Sequence, residues 1–216
     1  MGDDRFDSAE TGSYAALPVH AILQQWRRLP PALRAPGVSL REVKHSDVPS
    51  LLTLLSADDV CKFVVSPPRT ATAFEQFVDW SHQQRIDGVG VCLAVVPDGS
   101  MSPAGLFQVR QLEPEFAVAE WGFAVGSAFW GQGLFFASAP VVVDFVFDVL
   151  GARRLEARAT VRNGRGNGAL RKLGAVQEAM LRHSLERDGE LLDQVLWAIL
   201  ADEWRMRRPS RSIHVH

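Results

Sequence analysis

One stretch constrains this chain more than any other. Phe116–Val125 patterns as a strand, Gly126, Gly131 and Gly133 crowd the turn after it, and Leu134–Leu150 is then a nearly continuous apolar run. Arg154–Val161 resumes a strand pattern. A strand, a turn, a long helix and a strand make a parallel pair joined by a crossover, and the crossover helix must lie against the sheet. This unit rules out an all-helical bundle and a purely antiparallel barrel.

The flanking segments complete the layout. Val38–Val43 alternates as a strand, and Ser46-Asp47 caps a helix through about Ser56. A loop from Asp58 to Arg69 carries Pro67-Pro68, after which Thr70 or Thr72 opens a helix with Phe74, Phe77, Val78 and Trp80 on its apolar face. Gly88 ends that helix. Val89–Val96 and Ala104–Gln111 follow as strands, Gly166–Leu173 is a short helix, and Val176–Glu186 pairs with Glu190–Leu200 around Asp188-Gly189. The fold class is therefore α/β (α+β), with a mixed, mostly antiparallel central sheet of about seven strands and helices on both faces. Upstream, Val19, Ile22, Leu23, Trp26 and Leu29 fall at helical spacing before Pro30, Pro31 and Pro36. Three units are expected: an extension over 1–36 with one amphipathic helix, a domain over 37–204, and a basic tail over 205–216 containing Arg205, Arg207, Arg208 and Arg211.

Composition narrows the function classes. The 216 residues are 47% hydrophobic, and 23 Lys plus Arg face 25 Asp plus Glu for a formal charge of -2. A balance this close to neutral gives no basic surface for nucleic acid. No apolar run reaches the roughly 18–20 residues that span a bilayer, so no membrane partner is expected. The acidic start (Asp3, Asp4, Asp7, Glu10) reads as neither a secretory nor a transit leader, which points to a cytoplasmic protein. Cys61 and Cys92 are too few for a disulfide framework or a zinc cage, so no metal is expected.

Two segments carry chemistry. In Glu120-Trp121-Gly122-Phe123-Ala124-Val125-Gly126-Ser127-Ala128-Phe129-Trp130-Gly131-Gln132-Gly133-Leu134, glycines let the backbone approach a ligand at a helix N-terminus, an arrangement suited to a pyrophosphate or another anion. The same spacing also suits a tight strand–helix turn with no ligand. The second segment, Arg162-Asn163-Gly164-Arg165-Gly166-Asn167, ends the next strand and so lies on the same sheet edge, where open α/β sheets bind ligands. Asn163 can donate to and accept from an amide-bearing ligand, or it or Asn167 can serve as a helix N-cap.

Together these segments resemble the cofactor motifs of the GNAT N-acetyltransferases, in the branch containing the ribosomal-protein N-terminal alanine acetyltransferases (RimJ/RimL-like). Trp130-Gly131-Gln132-Gly133-Leu134 is similar to the family loop W-G-K/Q-G-Y/L. Asn163 with Leu170-Arg171-Lys172-Leu173-Gly174 is similar to the signature N-x-x-S…L-x-K-L-G-F. Asp59-Val60-Cys61-Lys62-Phe63 ahead of Pro67-Pro68 matches the branch's layout, and the likeness runs from about Val38 to Trp204. Three departures stand out. Phe135 replaces a small residue and is expected to crowd the phosphates or shift the amides that reach them, Gly166 replaces Ser, and Ala175 replaces Phe.

The resemblance implies acetyl-CoA as co-substrate and direct attack of a primary amine on the thioester. The acceptor is a protein N-terminal amine by preference; a polyamine- or aminoglycoside-like amine, or a non-catalytic acyl-CoA-binding module, is the alternative. It implies a cofactor site of Phe123, Ala124, Val125, Trp130, Gly131, Gln132, Gly133, Leu134, Phe135, Asn163, Asn167 and Arg171. Glu120 shares a strand face with Phe116, Val118, Gly122 and Ala124, and a carboxylate among apolar neighbours should have the raised pKa of a general base. His183 and Ser184 are the next catalytic candidates. The acids Asp58, Asp59, Glu186, Asp188 and Glu190 on two loops could draw a cationic substrate or simply face solvent. The only tyrosine, Tyr14, lies in the extension, and Leu170 stands where many relatives place an acid tyrosine. A monomer or homodimer is expected.

Overall fold

The computed structural model describes residues 25–63 and 68–207; most of the expected N-terminal helix, Tyr14, Pro67, Arg208 and Arg211 lie outside them. Eight strands form one sheet: β1 (Ala32–Ala35), β2 (Val38–Glu42), β3 (Gly90–Pro97), β4 (Gly105–Gln111), β5 (Val118–Val125), β6 (Arg154–Thr160), β7 (Val176–Arg187) and β8 (Glu190–Leu200). Their order across it is β1-β2-β3-β4-β5-β6-β8-β7. Every neighbouring pair is antiparallel except β5 and β6, which are joined by the crossover helix and parallel.

The helices divide between the faces. We number them α1 (Val48–Ser56), α2 (Asp58–Cys61), α3 (Ala71–Asp87), α4 (Leu134–Asp148), α5 (Gly164–Leu173) and α6 (Ala201–Arg207). One core lies between α4 and the sheet, where Val142, Phe145 and Val146 meet Leu40, Leu93, Phe107, Trp121 and Leu155. The other lies under α1 and α3, where Leu51, Leu55, Phe74 and Val78 meet Cys92, Ala94 and Ala124. Local signals explain the ends of α3: the Thr70 hydroxyl accepts from the Ala73 N–H at 3.1 Å, and Gly88 closes the helix at φ 75°.

Several expectations need correction. The end of the extension expected over 1–36, after the prolines that stop its helix, carries β1, which pairs with β2 from Ala32↔Arg41 to Ala35↔Val38, and Trp26 is buried edge-on against Phe116. The sheet therefore has eight strands and reaches upstream of residue 36, because Leu33 and Trp26 fill the α4-side core. Trp80 points away from the apolar face of α3 and is 46% exposed. At the other end α6 continues past residue 204. Arg205 reaches Asp148 at 3.0 Å and the Phe147 carbonyl at 3.1 Å, and Arg207 donates to the Gly174 carbonyl at 2.7 Å. No described helix is long and apolar enough to cross a membrane.

Candidate active site

β5 and β6 pair only from Val118↔Arg154 to Glu120↔Glu156, although both strands run further. Beyond Glu120 they splay. The Gly126 N–H bonds the Ala104 carbonyl at 2.8 Å, so even-numbered residues of β5 turn their main chain toward β4 and odd-numbered ones turn it toward the gap. The main-chain groups of Phe123 and Val125 therefore open into the splay.

A cleft of about 120 Å³ occupies this gap. Phe123, Ala124 and Val125 form one wall, Trp130 and Phe135 the turn side, and Asn163, Arg165, Gly166 and Ala169 the start of α5. Val60 of α2 and Phe63 border it on the opposite sheet face. The cleft thus passes through the sheet from the α4 face to the α1 face.

The turn into α4 is built for an anion. Gly131 and Gly133 have φ of 77° and 79°, and Gly133 is an N-cap without a side-chain hydrogen bond to the helix. The first intrahelical bond there runs from the Ala137 N–H to the Gly133 carbonyl, which leaves the N–H groups of residues 134–136 without intrahelical partners. The Trp130 indole donates to the Val125 carbonyl at 2.8 Å, and the Arg165 guanidinium lies over its ring at 4.1 Å, so the two motifs meet across the cleft. Gln132 is tied back to the Ala128 carbonyl.

Phe135 does not lie across the helix end. Its ring packs on Phe123 at 4.5 Å and on Phe107 at 6.0 Å, completing an aromatic wall with Trp121. The Gly166 departure has a local cause too. The Asn163 carboxamide caps α5 by accepting from the Gly166 N–H at 2.8 Å, and a Cβ on residue 166 would sit 2.5 Å from Asn163 Nδ2. Gly166→Ala is accordingly expected to displace the cap and cost about 1 kcal/mol in a urea titration, with the slope unchanged.

The other candidates stand elsewhere. Glu120 is not among apolar side chains: Arg110 Nε donates to its Oε2 at 2.7 Å, with Nη2 also on that oxygen, and Arg158 Nε lies 3.4 Å from Oε1. Its two oxygens are held by guanidiniums, and it does not line the cleft. His183 is exposed on β7 with φ 50°, its N–H on the Asp193 carboxylate. The Ser184 hydroxyl is engaged with the Leu181 carbonyl and with Gln194. Neither reaches the cleft. Asn167 is buried and saturated by the Thr160 and Asn163 carbonyls and the Trp197 indole, and Arg171 stacks over Trp197 at 5.5 Å. Among the loop acids, Asp59 pairs with Lys62, Glu190 with Arg162 and Asp188 with Arg187. Burial pushes the Cys92 thiol far above its ordinary pKa, which keeps it from acting as a thiolate. Sequence reasoning missed Val60, Phe63 and Arg165 in the cleft wall, and Arg110 and Arg158 around Glu120. Val60, Phe63 and Arg165 lie inside segments that the sequence does mark, and Arg110 stands out as a charge in a strand otherwise half apolar.

A family model described as the acetyltransferase (GNAT) domain matches residues 38–176. The chain belongs to the GNAT acetyltransferase family. It is 25% identical over 144 residues to a Bacillus subtilis protein named "Putative ribosomal N-acetyltransferase YdaF", covering 66% of this chain and 77% of that one. A structure titled as Mycobacterium smegmatis RimJ in complex with CoA-disulfide superposes with a TM-score of 0.72 at 22% identity, over 84% of this chain and 89% of that one. A Vibrio fischeri ribosomal-protein-S5-alanine acetyltransferase superposes with a TM-score of 0.71 at 18% identity, over 80% and 98%. These two superpositions establish the shared GNAT fold.

GNAT acetyltransferases use acetyl-CoA, and the residues here fit it. The uncapped N-terminus of α4 suits a pyrophosphate, the open main chain of Phe123 and Val125 suits an amide-bearing arm, and the aromatic wall suits its apolar stretches. Among the described residues no group of His, Cys, Asp and Glu is arranged to hold a metal ion.

Proposed function

We propose that this GNAT enzyme moves the acetyl group of acetyl-CoA to a primary amine, and to a protein N-terminal amine in preference to a polyamine- or aminoglycoside-like one. The observation that carries the reading is the splay of β5 from β6 beside the uncapped turn, which opens a through-sheet cleft with donors on its wall. Acetyl-CoA supplies the activated acyl group and a thiolate leaving group that needs little acid assistance. One of the Phe123 and Val125 N–H groups polarises the thioester carbonyl while the other, about 7 Å along the strand, pairs with an amide of the cofactor arm. The α4 turn anchors the phosphates, and Trp130 with Arg165 holds the two lips of the cleft together. The names of the relatives, ribosomal acetyltransferases among them, support a protein N-terminus.

Proton bookkeeping favours the same acceptor. Neutralising an α-amine of pKa near 8 at pH 7 costs about 1.4 kcal/mol, whereas a lysine side chain costs about 4–5. With Glu120 locked by two guanidiniums, no dedicated base is placed at the cleft among the described residues, and an acceptor already partly neutral needs none. Glu120→Gln is therefore expected to keep kcat within about tenfold and to leave the shape of the pH–rate profile unchanged, since loss of a general base costs about 10²–10⁴-fold.

The deciding experiment is a thiol-release assay on acetyl-CoA with N-terminal peptides, lysine peptides, polyamines and aminoglycosides, paired with a thermal-shift titration. Stabilisation by acetyl-CoA with release driven by N-terminal peptides is the expected result. Stabilisation without release in any panel member would reduce the chain to an acyl-CoA-binding module.

A further inference from the structure

The face on which the cleft emerges is not bare. α1 and α3 cover the sheet as far as Ala124, and beyond it the surface opens at Gly122, where a Cβ would meet nothing within 4 Å. Residues 120, 122 and 124 share this face, and the register places Arg110 opposite Glu120 and Glu156 beside it, with Arg158 two residues further along β6. The open floor is thus bordered by the Arg110–Glu120–Arg158 cluster.

Exposure within the cluster decides what a visitor would meet. The Glu120 side chain is only 12% exposed, while those of Arg110 and Arg158 are 55% and 40% exposed. The carboxylate lies underneath and the guanidiniums on top. One carboxylate shared by two guanidiniums leaves a local charge of plus one and several N–H donors to spare. Arg154 is shared between Glu156 and Glu178, at 2.8 and 2.5 Å, so that neighbouring triad carries minus one, and what the cluster offers a visitor is its spare guanidinium N–H donors rather than a net positive charge. Distance also fits: Glu120 lies three residues from Phe123, about 10 Å along the strand, and an arginine side chain spans much of that.

We propose that the acceptor carries a carboxylate within about one residue of its amine, and that Arg110 and Arg158, aimed by Glu120, hold that carboxylate while the amine faces the cleft. The proposal rests on the acetyl-transfer reading for the place of the amine. The carboxylate can be the side chain of an acidic second residue or the α-carboxylate of a free amino acid; the chemistry is shared. Glu120 acts here as a positioning residue rather than a base.

The test is equilibrium binding to the full chain loaded with CoA, so that it does not depend on turnover. Two isosteric pairs are titrated by calorimetry: Ala-Asp-Ala amide against Ala-Asn-Ala amide, and alanine against alaninamide. In at least one pair the acid should bind about tenfold tighter or better, the weight of one charge-assisted hydrogen bond. The pair that shows it separates a side-chain from an α-carboxylate source. Arg110→Ala and Arg158→Ala should each bring that pair within about twofold while leaving CoA binding unchanged. Glu120→Gln should retain the preference. Equal binding of acid and amide in both pairs, or a preference that survives the double Arg110→Ala/Arg158→Ala replacement, would overturn the proposal. Thiol release without any acid preference leaves acetyl transfer standing and removes this inference; an acid preference without release does the reverse.

Discussion

Gly133→Val is expected to weaken acetyl-CoA binding by about 100-fold, which equals the loss of one or two charge-assisted hydrogen bonds. Residue 133 sits at φ 79°, a region that costs a β-branched side chain about 1–2 kcal/mol or more. The space around it is open, so the harm is conformational: no atom lies within 4 Å of a Cβ there. A valine relaxes toward negative φ and swings the first-turn N–H groups of α4 off their common direction. Gly37, in the β1–β2 turn, has the same φ of 79° and the same open surroundings, but does not cap the helix that follows the cleft wall, as Gly133 does. Gly37→Val therefore carries the same strain without touching the site. Calorimetric titration of both variants with acetyl-CoA separates the readings: if Gly37→Val loses as much affinity as Gly133→Val, global destabilisation explains both and the turn is not the phosphate anchor.

What the sequence made legible follows its local signals. The β5–turn–α4–β6 unit could be read because glycines and a long apolar run mark it within one continuous stretch. β1 could not, because it has four residues hemmed by Pro30, Pro31 and Pro36, and only its ladder with β2 makes it a strand. α2 is a single turn whose one buried side chain is Val60, too short for any periodicity. Aromatic character alone does not bury Trp80, because a tryptophan on an amphipathic helix can sit at the rim. The environment of Glu120 is not encoded in its own strand. Alternation correctly put it on a face with Gly122 and Ala124, yet its partners Arg110 and Arg158 arrive from two other strands, through register that no local pattern encodes. Asn163 could be read as both cap and site residue, while Asn167 belongs to the frame behind the site.

That frame hangs on the Asn167 carboxamide. Asn167→Leu should destabilise the protein by about 3 kcal/mol, or about 6–12 °C in Tm. Asn167 is 9% exposed, and its Nδ2 bridges the Thr160 carbonyl at the end of β6 to the Asn163 carbonyl at the start of α5, each at 2.9 Å. Its Oδ1 accepts from the Trp197 indole of β8 at 2.8 Å. Leucine removes all three bonds and strands a buried indole N–H, since Trp197 is 2% exposed. The Thr160 carbonyl keeps a second partner, the Asn163 N–H, so the indole carries most of the penalty. That assignment is checkable by a double-mutant cycle with Trp197→Phe, which deletes the donor. The paired replacement should cost about 1–2 kcal/mol less than the sum of the singles, whereas additivity within about 0.5 kcal/mol would mean the indole bond contributes nothing. Because the same side chain fixes where α5 begins, Asn167→Leu should also loosen the Asn163 cap and weaken acetyl-CoA binding. Trp197→Phe, which leaves both Nδ2 bonds in place, should lower stability with a much smaller effect on that binding.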